Sequence, residues 1–159
     1  MNRFIPALLA PGPAEDRADA MATYGWLVGD WRFDATMFVD GQATPVQGGE
    51  IHAAWVLEGR AVQDVWILPG CFAGTTLRVY DPSLDAWHIV WSDPLRQYYN
   101  RQLGRREGAR IVQEGTDAAG DATRWSFEGI AADRFRWLGE RRGADGAWQR
   151  VADSAVRRA

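Results

Sequence analysis

Along most of the chain apolar residues recur at every second position, in runs separated by turn signals roughly every eight to twelve residues. The first run shows it clearly: Trp31, Phe33, Ala35, Met37 and Val39 alternate with Arg32, Asp34, Thr36 and Phe38, and Asp40-Gly41 follows as a hairpin signal. The same period predicts strands over 49–57, 60–68, 75–80, 87–92, 97–103, 110–114, 123–129, 134–140 and 147–156. Glu58-Gly59, Pro69-Gly70, Asp81-Pro82, Asp93-Pro94 and Ala144-Asp145-Gly146 supply turns between them. Ahead of the strands, residues 1–13 read as an arm punctuated by Pro and Gly, and 14–22 as a short helix without a breaker. Ten short strands with short connections make a meander. A flat sheet of that size leaves two open edges, and closure removes them. The expectation is therefore an all-β fold: a single antiparallel up-and-down β-barrel of about ten strands. A short N-terminal arm or helix occupies 1–23 and the barrel domain 24–159.

Turn arithmetic assigns faces. If Glu58-Gly59 is a two-residue loop, Trp55 lies opposite Val62, Ala53 opposite Asp64 and Ile51 opposite Trp66, and opposed residues share a face. That face carries the large aromatics and is taken as inward. Likewise Tyr80, Arg78 and Thr76 share a face with Trp87, Ile89 and Trp91, which leaves His52 and His88 outside. Asp64 and Arg78 then both point inward. Buried charges need partners. The two either neutralise each other as a structural pair or hold the polar end of a ligand. Tyr98 and Tyr99 are the next polar aromatics. Alternation requires one of them to face in and does not choose between them; Tyr99 is carried into the candidate set.

Composition sharpens the picture in one respect. Nine tryptophans in 159 residues is a large number for one small domain, and Trp brings bulk together with an N–H that wants a partner when buried. Trp31, Trp55, Trp66, Trp91, Trp125 and Trp137 suit a lined cavity, with a filled barrel as the alternative. The net charge of −3 arises from 18 arginines, no lysine and 21 acids. The arginines alternate with acids almost everywhere, which argues against a nucleic-acid face. Cys71 is the only cysteine, so no intrachain disulfide or thiolate cluster can form. The apolar run near the N-terminus is too short for a signal peptide, and no segment reaches the length of a membrane span. A cytoplasmic protein without membrane or nucleic-acid partners is expected, and Phe38, Val65 and Ile67 on the outer face leave room for a homodimer.

Chemistry is sparse. No G-x-S-x-G elbow or phosphate-cradling loop occurs, and two histidines with one cysteine point to no metal site and no cofactor. The candidate ligand-binding set is Trp31, Trp55, Asp64, Trp66, Arg78, Trp91, Tyr99 and Trp137. Two other readings remain open: a cofactor-free isomerase, cyclase or hydratase with Asp64 as general acid or base, and an interaction module on a filled barrel.

Gly29-Asp30-Trp31, preceded by Trp26-Leu27-Val28, resembles the G-x-W motif that opens the first strand of lipocalins and other calycins. Together with 57–66, 76–82, 87–91 and Asp145-Gly146-Ala147-Trp148, it is similar to bacterial lipocalin-like domains of unknown function (the DUF1579 type) over about residues 24–157. The resemblance implies a lipocalin or fatty-acid-binding-protein-like barrel whose Trp31 plugs the closed end, with Arg150 as its arginine partner from the last strand. Nitrobindin-like haem barrels are a more distant likeness. Their haem-ligating histidine lies late in the chain, and no histidine follows His88 here.

Overall fold

The computed structural model describes residues 1–159. All ten predicted strands form: β1 Gly29–Val39, β2 Gln42–Val56, β3 Ala61–Leu68, β4 Phe72–Asp81, β5 Ala86–Asp93, β6 Tyr98–Glu107, β7 Arg110–Asp117, β8 Ala122–Glu128, β9 Arg134–Arg142 and β10 Trp148–Arg158. Each pairs antiparallel with its neighbours in sequence, and β1 pairs with β10 to close the barrel. The Glu58-Gly59 turn sets the predicted register, with Ile51 opposite Trp66, Ala53 opposite Asp64 and Trp55 opposite Val62. Residues 57–60 form the connection, with Leu57, Glu58 and Gly59 all in the left-handed region at φ 52°, 60° and 75°, and the strand register is the one a two-residue loop gives. On the next hairpin Arg78 faces Ile89 and Thr76 faces Trp91.

Helices close one end. Helix α1 (Phe4–Leu8) precedes a strand-like stretch whose backbone joins the β2–β3 turn, through Ala10 N–H to Trp55 O at 2.9 Å and Ala14 N–H to Gly59 O at 3.0 Å. A single 3-10 turn at Glu15–Arg17 leads into α2 (Ala18–Gly25). The α2 residues Met21 and Tyr24 are fully buried, and the Tyr24 ring meets Trp87 edge-on at 4.9 Å. Helix α2 is thus the plug of this end. Trp31 lies beside it, donating Nε1–H to Leu27 O at 2.8 Å. The arginine that covers Trp31 is Arg158, whose guanidinium sits 3.6 Å from the indole centroid and donates to the carbonyls of Trp26 and Val28. Arg150, the expected partner, instead reaches Asp153 on the outer surface. The difference comes from barrel geometry: β10 runs antiparallel to β1, so its last residues, not its first, lie opposite Trp31.

Candidate functional site

The other half of the barrel holds a cavity of about 470 Å³, within the range of small-molecule sites. Its walls are aromatic. Five of the rings that line it touch in series: Trp66 to Trp137 at 5.6 Å, Trp137 to Trp125 at 5.6 Å, Trp125 to Trp91 at 6.2 Å and Trp91 to Phe72 at 6.0 Å; the buried Phe33, outside the lining, touches Phe72 at 6.4 Å and Trp66 at 5.3 Å. Most pairs are tilted or edge-to-face, the orientation favoured by the ring quadrupole. Two glycines make room for these rings. A Cβ on Gly74 would lie 2.5 Å from the Trp91 ring, and one on Gly139 would lie 2.8 Å from the Trp137 ring. Inward alternation supplies the rings, and glycine at an adjacent inward position lets them lie flat against the wall.

Polar groups lie among and beneath the rings. Arg78 and Asp64 are buried and ion-paired through Arg78 Nη1 and Asp64 Oδ2. The Asp64 Oδ1 accepts the Thr76 backbone N–H at 3.2 Å. From Arg78 a chain of hydrogen bonds crosses to β6. Arg78 Nε donates to Gln113 Oε1 at 3.4 Å, Gln113 Nε2 to Gln102 Oε1 at 3.2 Å and Gln102 Nε2 to Thr123 Oγ1 at 3.0 Å. Thr123 Oγ1 donates to Asn100 Oδ1 at 3.0 Å, and Asn100 Nδ2 to the Tyr98 hydroxyl at 3.2 Å. From below, the Tyr24 hydroxyl donates to Gln113 Oε1 at 2.8 Å, so the plug helix is tied to the same chain. Burial pushes the Tyr24 phenol well above its ordinary pKa, and burial likewise raises that of Tyr98. Both remain neutral donors.

At the mouth, the Arg96 guanidinium sits over the Phe72 and Tyr98 rings at 5.3 and 5.7 Å. Its Nε donates to the buried Asp93 carboxylate at 2.8 Å. Burial raises the Asp93 pKa, but the Arg96 side chain and the backbone N–H groups of Leu95 and Arg96 outweigh it and hold the group below its ordinary value. Arg141, the Met37–Val39 end of β1 and Asp40 beyond it also line the cavity.

The candidate set divides accordingly. Trp66, Trp91, Trp137 and Arg78 line the cavity, and Asp64 is buried behind Arg78. Trp31 and Trp55 do not reach it: Trp31 belongs to the closed end, and the Trp55 ring packs against Gly25 of α2. Tyr99 is on the outside, bonded to Gln97, and Tyr98 is the tyrosine on the cavity wall. Asp93 pairs with Tyr98 across the β5–β6 turn and faces inward, which fixes the phase. Phe38, expected on the outer face, is half-buried at the rim. Gln102, Gln113 and Thr123 are not among the candidates the sequence offers, and Asn100 enters only as a neighbour of Tyr98 and Tyr99. On β6 the signal was present: amides at alternate positions, Asn100 and Gln102, on the face opposite Arg101 and Leu103.

No family model and no curated protein matches the chain. Among solved structures it is similar to Rv2717c from M. tuberculosis, with a TM-score of 0.58 and 16% identity, covering 95% of this chain and 99% of that one. The likeness establishes the shared barrel fold. No helix is long and apolar enough to cross a membrane.

Proposed function

We propose that this barrel binds a small hydrophobic or planar ligand in its cavity, as a carrier or sensor. The observation that carries the reading is the set of five contacting aromatic rings, Trp66, Phe72, Trp91, Trp125 and Trp137, that line about 470 Å³ of space. Flat π-faces offer a flat ligand large contact area at low entropic cost, and the polar groups below orient it. Binding is favoured over acid–base catalysis because the Asp64 carboxylate is fully buried in its pair with Arg78 and is not part of the cavity wall. A general base must come within hydrogen-bond reach of the proton it takes. The reading accords with membership of the lipocalin-like domains of unknown function that the motifs resemble. It takes the protein as cytoplasmic, with a small molecule as partner. The exposed Val65, Ile67 and Val90 on the outer sheet suit a homodimer.

Tryptophan fluorescence tests the reading. Titration with small planar aromatics, fluorene among them, is expected to quench the emission saturably at one ligand per chain. Ala152→Phe, which places a ring in the cavity from β10, should remove the saturable component while the variant stays folded by circular dichroism. Quenching that is linear and identical in both proteins would refute binding in the cavity.

A further inference from the structure

Arginine has donors and no acceptor, and this single fact orients the buried chain described above. Arg78 Nε must find an oxygen, which turns the Gln113 amide so that Oε1 faces Arg78 and Tyr24 and Nε2 faces Gln102. Gln102 is turned in the same sense toward Thr123, Thr123 toward Asn100 and Asn100 toward Tyr98. Every bond runs in one direction. The chain ends at the Tyr98 hydroxyl, which accepts from Asn100 and has no acceptor in the protein for its own hydrogen.

Along this buried chain, acceptors and donors are therefore unequally spent. The oxygens of Asp64, Gln113, Gln102 and Asn100 all receive hydrogen bonds. Donors on residues that line the cavity are left without a partner in the protein, among them the Tyr98 O–H, Arg78 Nη2 and the Nε1 of Trp66, Trp91, Trp125 and Trp137; Trp66 Nε1 is the one that is fully buried. An unpaired buried donor is costly, and a ligand that supplies the missing acceptor recovers that cost. The positive charge of Arg78 is already met by Asp64, so the site calls for a neutral acceptor and not for an anion.

Resting on the binding reading above, we infer that the ligand class is planar aromatic compounds carrying carbonyl-type acceptors, and that the cavity selects them over hydrocarbons and over N–H or O–H donors of the same shape. Aromatic walls recognise the flat skeleton, and the free donors recognise the oxygens on its edge.

Three isosteric tricycles separate the terms: fluorene has no polar group, fluorenone adds a carbonyl oxygen and carbazole adds an N–H. Affinities measured by tryptophan quenching should place fluorenone about tenfold tighter than fluorene, the worth of one well-placed hydrogen bond in a dry site. Carbazole should bind no better than fluorene. Tyr98→Phe and Trp66→Phe, checked for folding by circular dichroism, should each narrow the gap between fluorenone and fluorene. Equal affinities for all three compounds, or a preference for carbazole, would overturn donor-led selection while leaving the aromatic cavity standing as a binding site. Failure of all three to bind would overturn the binding reading itself, and this inference with it.

Discussion

Arg78 and Asp64 show how a single ion pair constrains a barrel interior. Both are buried, so removing either leaves an unpaired charge in a low-dielectric site. Asp64→Ala or Arg78→Ala should each cost about 3–5 kcal/mol in urea unfolding, whereas the double replacement Asp64→Leu with Arg78→Met should recover much of that loss. Single variants that lose under about 1 kcal/mol would show that water reaches the pair. Asp93 gives a pH test at the mouth. Its folded-state pKa is depressed, so its stabilising contribution is complete above the ordinary carboxylate value near ~4 and lost as pH falls through the lower folded value. Asp93→Asn should therefore be less stable than the parent at neutral pH, by about 1 kcal/mol, with the gap closing as the acid limb is descended. A gap that is constant or grows toward low pH would contradict the assignment. Residue by residue, the sequence was informative wherever a turn length was known. Glu58-Gly59 placed Asp64 and Trp66 correctly. The Asp93–Tyr98 connection has four intervening residues, with Gln97 in the left-handed region at φ 52°. A one-residue slip there exchanges the two faces of the following strand, which is why Tyr99 stood in place of Tyr98.

At the scale of elements, the plug helix and the glycine gaps are the parts most open to test. Gly104 faces the Tyr24 hydroxyl so closely that any Cβ would displace it. Gly104→Ala should break the bond from Tyr24 to Gln113, lower the melting temperature and loosen α2, seen as faster amide exchange in residues 18–25; unchanged exchange would count against the plug. Gly139→Ala should behave differently. Its Cβ meets only the far end of the Trp137 ring, with Val151 at 3.5 Å, so stability should change little while ligand affinity shifts as the ring tips into the cavity. Two elements were misread from sequence, each for a reason. Helix α1 was hidden by Pro6, yet proline is tolerated in the first turn, where no helical N–H partner is needed. The second predicted strand begins only at residue 49, whereas β2 starts at Gln42 and its first half runs through Pro45. That segment pairs with β1 alone, since β3 joins only from Glu50 onward, and its free outer side has no ladder bond for proline to lose.

For the whole molecule, closure into a barrel was legible because ten alternating runs with short turns leave few other solutions. The division of the interior was not. Period-two alternation places residues on the inner face but says nothing of height along the axis, so Trp31 and Trp55 at the closed end looked equivalent to Trp66, Trp91 and Trp137 at the open one. Height is set by the stagger of strand against strand, which appears only when all ten registers are joined. The result is a barrel with two unlike halves: one packed under α2, and one enclosing a cavity whose polar groups are held by a chain of bonds reaching down to the plug. The most direct test of a binding function is native against denaturing mass spectrometry on protein purified gently from its own host. A reproducible extra mass, one per chain, that departs on denaturation and is absent from Ala152→Phe is the expected result. A bare mass from the parent protein, or an extra mass that Ala152→Phe retains in full, would contradict it.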